Sequence, residues 1–161
     1  MNSLLLAVIL GLVLQPSAPV QTSEVVITGP SGEQRITATD LAALPRVTLT
    51  IDDHDTKATF EGVELRHLLE KVGAPLGETL RGKDLTRYVV VEAADGYRVL
   101  FALAELDAGF SDTRVILADK QAGKPLDAKV GPFRIVAEGD KRMGRSARQV
   151  VRIALGAAEP R

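Results

Sequence analysis

The sequence predicts a single α+β domain, and three observations predict it. Its 161 residues match about one globular domain, and 45% hydrophobic with 25% charged residues is the composition of a folded chain. Short β-patterned runs bounded by Gly, Pro and Asp surround one strongly periodic helix. From Glu24 onward there is no low-complexity tract, long structureless linker or repeat. The expected division is a leader over residues 1–22, the domain over 23–157 and a tail over 158–161.

The leader is expected because the first 22 residues carry no charged side chain and Leu4–Leu14 is an apolar run of 11 residues. That run falls well short of the roughly 20 residues that span a bilayer, and the small, polar segment after it suits a cleavage site between Ala18 and Ser23. A mature product without a membrane anchor, periplasmic or secreted, is the expectation.

Glu24–Thr28 is expected to be a strand that turns at Gly29-Pro30-Ser31-Gly32 and pairs back through Gln34–Ile36. Thr39 is the expected N-cap of a short helix, Asp40–Leu44, which Pro45 stops. Arg46–Ile51 alternates, and with Lys57–Phe60 it forms an expected hairpin around the tip Asp52-Asp53-His54-Asp55. Leu65, Leu68, Leu69 and Val72 recur at helical spacing, which predicts a helix over Val63–Val72 ended by a left-handed Gly73. His67 then falls on its polar face.

Tyr88–Glu92 and Tyr97–Phe101 flank Asp95-Gly96, a strong hairpin signal, and the first arm is apolar on both faces, as a central strand would be. Leu103–Ala108 suits a helical turn and Thr113–Ala118 a strand, followed by a turn at Gly123-Lys124-Pro125-Leu126. Phe133–Ala137 and Gln149–Leu155 complete the strands, on either side of a loop rich in glycine and charge.

The absence of cysteine from the sequence excludes a disulfide, a thiol nucleophile, a thiolate-held zinc and an iron–sulfur cluster. The only histidines are His54 and His67, which excludes imidazole-rich metal sites. A formal net charge of −1 gives no global attraction to a nucleic-acid backbone or anionic membrane, so neither is an expected partner. Gly29-Pro30-Ser31-Gly32 is one residue too tight for a hydrolase nucleophile elbow, and Gly123-Lys124 lacks the frame of a phosphate loop. The Asp52–Asp55 tip offers metal-ligand chemistry but is more simply a solvated turn, so no metal site is assigned.

The segment from Arg134 to Arg152 stands out. Arg134, Lys141, Arg142, Arg145, Arg148 and Arg152 outnumber Glu138 and Asp140 in an otherwise balanced chain. Guanidinium forks suit phosphate and carboxylate oxygens, and Gly139 and Gly144 allow a backbone to approach an anion. A solvated strand face over Arg148–Ile153 is the competing explanation.

The order of motifs resembles the molybdopterin-binding oxidoreductase domain of the sulfite oxidase superfamily. The resemblance runs through Phe60-Glu61-Gly62-Val63-Glu64-Leu65 with Leu68-Leu69, Asp95-Gly96-Tyr97 with Glu105, and Val115-Ile116-Leu117-Ala118. It continues through Gly123-Lys124-Pro125-Leu126, Gly131-Pro132-Phe133-Arg134 and Arg148-Gln149-Val150-Val151-Arg152-Ile153, covering roughly Glu24 to Leu155. It implies a sulfite-oxidase-like fold of mixed β-sheet or partial barrel with short helices, in which loops on one face hold a pyranopterin and its phosphate. Arg134, Arg148, Arg145, Lys141, Asp95 and Tyr97 are the candidate cofactor-binding residues. No catalytic residue is assigned.

Two departures matter. Lys129-Val130 stands where family enzymes commonly have a histidine before the glycine, and Ser146-Ala147 replaces a tryptophan-containing stretch. Family enzymes also bind molybdenum through one cysteine thiolate, whereas the only sulfur here beyond Met1 is the neutral thioether of Met143. The family's folded export uses a twin-arginine signal, yet no Lys or Arg precedes Arg35. The expectation is therefore a periplasmic or secreted, non-catalytic relative that binds a small anion or a protein partner. Molybdopterin is possible through the resemblance, and the alternative is a molybdopterin-dependent oxidoreductase or a subunit of one.

Overall fold

Alternation of apolar and polar residues builds two sheets in this computed structural model, which describes residues 24–53 and 56–158. β1 (Glu24–Gly29) buries Val25 and Ile27, turns at Pro30-Ser31 and pairs antiparallel with β2 (Gly32–Thr37). Further along the chain, β5 (Arg87–Ala93) and β6 (Arg98–Ala102) form a hairpin with Gly96 at a φ of 83° in its turn. The last strand, β10 (Val150–Ala157), lies parallel to β1 and antiparallel to β5, giving the order β2-β1-β10-β5-β6. The strand expected to be central, β5, has neighbours on both sides.

The second sheet is antiparallel. β3 (Val47–Asp53) and β4 (Thr56–Glu64) form its hairpin, and β4 pairs with β7 (Val115–Gln121). β7 in turn pairs with the two-residue β8 (Lys124–Pro125) and with β9 (Arg134–Ala137). At a register shift beside Gly62, an added Cβ would lie 2.2 Å from the Leu117 carbonyl oxygen, so that residue must be glycine.

The main core joins both sheets through Ile27, Val91, Ile153, Leu117 and Ile135, and α2 (Leu65–Glu70) contributes Leu65, Leu68 and Leu69. A second cluster, with Leu49, Phe60, Ile116 and Val136, lies on the other face of the second sheet. Among the described residues no helix is long and apolar enough to cross a membrane.

Several expected boundaries move. α1 spans Ala38–Ala42 rather than Asp40–Leu44, and its N-cap is Thr37, not Thr39. The Thr37 hydroxyl accepts the Asp40 N–H while the Asp40 carboxylate accepts the Thr37 N–H, a reciprocal cap that Thr39 lacks the spacing to make. The expected ten-residue helix is shorter because Val63 and Glu64 remain in β4, paired with Leu117 and Ile116. Gly73, at a φ of 76°, follows α2 as expected, and an added Cβ would collide with Ser31 Oγ. The turn after β6 is a 3₁₀ turn, Leu103–Leu106, and β7 starts at Val115 rather than Thr113. The 3₁₀ turns Gly77–Thr79 and Gly82–Thr86 occupy a stretch without a sequence pattern. The leader, His54, Asp55 and residues 159–161 lie outside the described residues.

Candidate functional site

Three connections converge at one end of the first sheet: the β5–β6 turn, the turn over residues 127–131, and the segment over 143–149 that leads into β10. Together they enclose a cleft of about 600 Å³ lined by Asp95, Tyr97, Lys129, Ser146, Arg148 and Gln149. That volume lies within the range of about 300–1,000 Å³ typical of small-molecule sites.

Local hydrogen bonds shape each wall. Asp95 Oδ1 accepts the Tyr97 N–H at 2.9 Å, and the Tyr97 hydroxyl donates to the Gly144 carbonyl at 2.6 Å, tying the hairpin to the opposite segment. Asp127 Oδ1 accepts the Lys129 N–H at 2.8 Å and sets the second turn. Arg148 and Lys129 are exposed, and neither makes an ion pair among the described residues. Ser146, which lines the same cleft, is 6% exposed, and its hydroxyl has no hydrogen-bond partner among the described residues. A hydroxyl in that condition takes a further partner, an ordered water or a ligand oxygen.

Of the six candidate residues, the structure brings together Asp95, Tyr97 and Arg148. The other three go elsewhere, each for a physical reason. Arg134 points from β9 into the second core cluster, 2% exposed, with its guanidinium carbon 4.7 Å from the centre of the Phe60 ring. Lys141 lines a separate cleft of about 440 Å³ with Thr50, Lys57 and Asp140. Arg145 is locked: its Nε and Nη2 donate to Asp140 at 3.0 and 2.7 Å, its Nη1 donates to Glu105 at 2.8 Å, and it stacks on Phe101. The hydrogen bonds that Asp140 accepts outweigh burial and, with Glu105, hold the Arg145 guanidinium above its ordinary range.

Lys129 and Ser146, which sequence reasoning does not select for the site, complete the cleft. Both fall where the sequence departs from the family pattern, and that departure is the available signal. A further cleft of about 700 Å³ beside α2 contains His67, Glu70 and Asp107. There His67 Nδ1 lies 3.3 Å from Glu70, and Asp107 accepts the backbone N–H groups of Gly77 and Gly109, so these three side chains already have partners. His67 is partly buried rather than fully solvated. No group of three or more His, Asp or Glu able to hold a metal occurs among the described residues.

The model of the oxidoreductase molybdopterin binding domain matches residues 52–161, more than half the chain. Among solved structures, the sulfane dehydrogenase SoxCD from Paracoccus pantotrophus superposes with a TM-score of 0.65 at 20% identity. The alignment covers 88% of this chain and 40% of that one, a likeness of fold. No curated protein matches the sequence.

Proposed function

Because the chain belongs to the oxidoreductase molybdopterin-binding domain family, we propose that it is a periplasmic or secreted binding domain of that family, taking an anionic ligand in the Lys129–Arg148 cleft. The observation that carries the reading is one cleft lined by two cations, Lys129 and Arg148, and the Ser146 hydroxyl, groups that have no ion pair or hydrogen-bond partner among the described residues. A phosphate or carboxylate oxygen satisfies both, one by charge and one as acceptor.

The same reading has the domain contribute no ligand of its own to molybdenum. The metal of the family's cofactor is soft and takes a thiolate, and these 161 residues contain none. Arg134 and Met143 offer a guanidinium and a neutral thioether, which do not substitute. The residues present therefore fit the anionic end of such a cofactor and not its metal. The apolar run Leu4–Leu14, followed by a small, polar segment, supports export.

Titration calorimetry with inorganic phosphate tests the ligand. Binding that weakens at least about tenfold in Arg148→Ala, with an unchanged melting temperature, supports the site. Equal binding removes it. The second reading, a molybdopterin-dependent oxidoreductase or a subunit of one, is favoured by the family match. Stoichiometric molybdenum and oxidised-pterin fluorescence in protein from its native source would establish that reading in place of the first.

A further inference from the structure

Gln149 is the residue through which all three walls of the cleft are joined. Its carbonyl accepts the Ala94 N–H at 2.9 Å, from the β5–β6 turn. Its own N–H donates to the Val130 carbonyl at 3.0 Å, and its side-chain Nε2 donates to the Ala128 carbonyl at 2.9 Å, both in the turn that carries Lys129. It directly follows Arg148 and precedes the register shift at the start of β10. Its backbone is left-handed, with a φ of 49°, where a residue with a Cβ is disfavoured and glycine is not. A chain that needed only a turn here would be served better by glycine. A long amide on a backbone that disfavours it, bonded through its side chain to Ala128, points to a role for that bond, since strained residues cluster beside sites.

We infer that Gln149 is the positioning residue of the cleft, fixing Lys129 opposite Arg148 so that both cations address one oxyanion. The inference rests on the anion-binding reading above. No ligand contact is assigned to Gln149 itself; it acts by holding the turn over residues 127–131 against the root of β10.

Two variants separate this role from a merely stabilising one. Gln149→Met preserves side-chain length and the backbone conformation but cannot donate to Ala128. Gln149→Gly removes the side chain while relieving the left-handed backbone, so its melting temperature should equal or exceed that of the parent. Each variant is compared with the parent by calorimetry with inorganic phosphate and by amide hydrogen exchange over residues 127–131. The expected result is a phosphate Kd raised about tenfold in both, with exchange in that turn accelerated at least about fivefold. Wild-type affinity and wild-type exchange in both variants would overturn the inference, as would a lowered melting temperature with affinity unchanged. If the parent protein binds no phosphate, the anion reading falls. Exchange alone then decides the role of Gln149: accelerated exchange preserves its positioning role, and unchanged exchange removes it.

Discussion

Arg145 and Arg148 lie three residues apart in the same basic segment, yet they have opposite fates. Arg145 reaches two carboxylates and an aromatic face, whereas Arg148 reaches none of these and stands in a cleft with Lys129. The difference shows that a local excess of positive charge does not mark a site. What marks one is charge left unmatched by the fold, next to a buried polar group in the same condition.

The comparison breaks most visibly if both open cations are removed. Lys129→Ala with Arg148→Ala should reduce phosphate affinity by about a hundredfold with little change in melting temperature, as read by calorimetry and thermal unfolding. The reciprocal variant, Arg145→Ala, leaves Asp140 and Glu105 without their shared partner. Because these groups are partly exposed, the expected loss is about 1–2 kcal/mol, a fall of roughly 3–8 °C in Tm, with affinity changed less than in the first variant. Ser146→Ala sharpens the contrast: phosphate affinity should fall about fivefold while stability holds or rises, since an unmatched buried hydroxyl is removed.

The smallest effect concerns a second locked pair. Two hydrogen bonds from Arg114 hold the Glu138 carboxyl below its ordinary range, against the opposing effect of burial. A carboxyl depressed in the folded state stabilises at pH values above its unfolded pKa near 4.5, and the contribution disappears as pH falls through the lower, folded value. Arg114→Gln should remove that part of the acid-side slope, worth under about 1 kcal/mol at this exposed pair, in urea unfolding from neutral pH down to about pH 3.

Much of the fold is legible in the sequence because local chemistry and tertiary context agree. The Asp95-Gly96 turn, the apolar β5 and the helical spacing of Leu65, Leu68 and Leu69 each have one solution at close range. Val63 and Glu64 are different, because an apolar residue next to a helix suits either element, and only pairing with Leu117 and Ile116 decides. The cap falls at Thr37 because the reciprocal bond needs a carboxylate three positions on, which Asp40 provides for Thr37 and Ala42 does not for Thr39. Half the candidate site is legible. Asp95 and Tyr97 are marked by their turn and Arg148 by its charge, but the sequence does not reveal which arginines find carboxylates. Glu105 is forty positions from Arg145 in the chain, and Ser146 is an ordinary serine until its surroundings are known.

The parallel pairing of β1 with β10, Val26 beside Arg152, constrains how the protein is made. The β1–β2 hairpin leaves the ribosome early but lacks a neighbour on its other side until almost the entire domain has been synthesised. Its apolar residues Val25 and Ile27 must wait for Ile153 to help cover them. Such a chain closes its first sheet late, which slows folding and leaves the edge of β1 open to mispairing until β10 arrives.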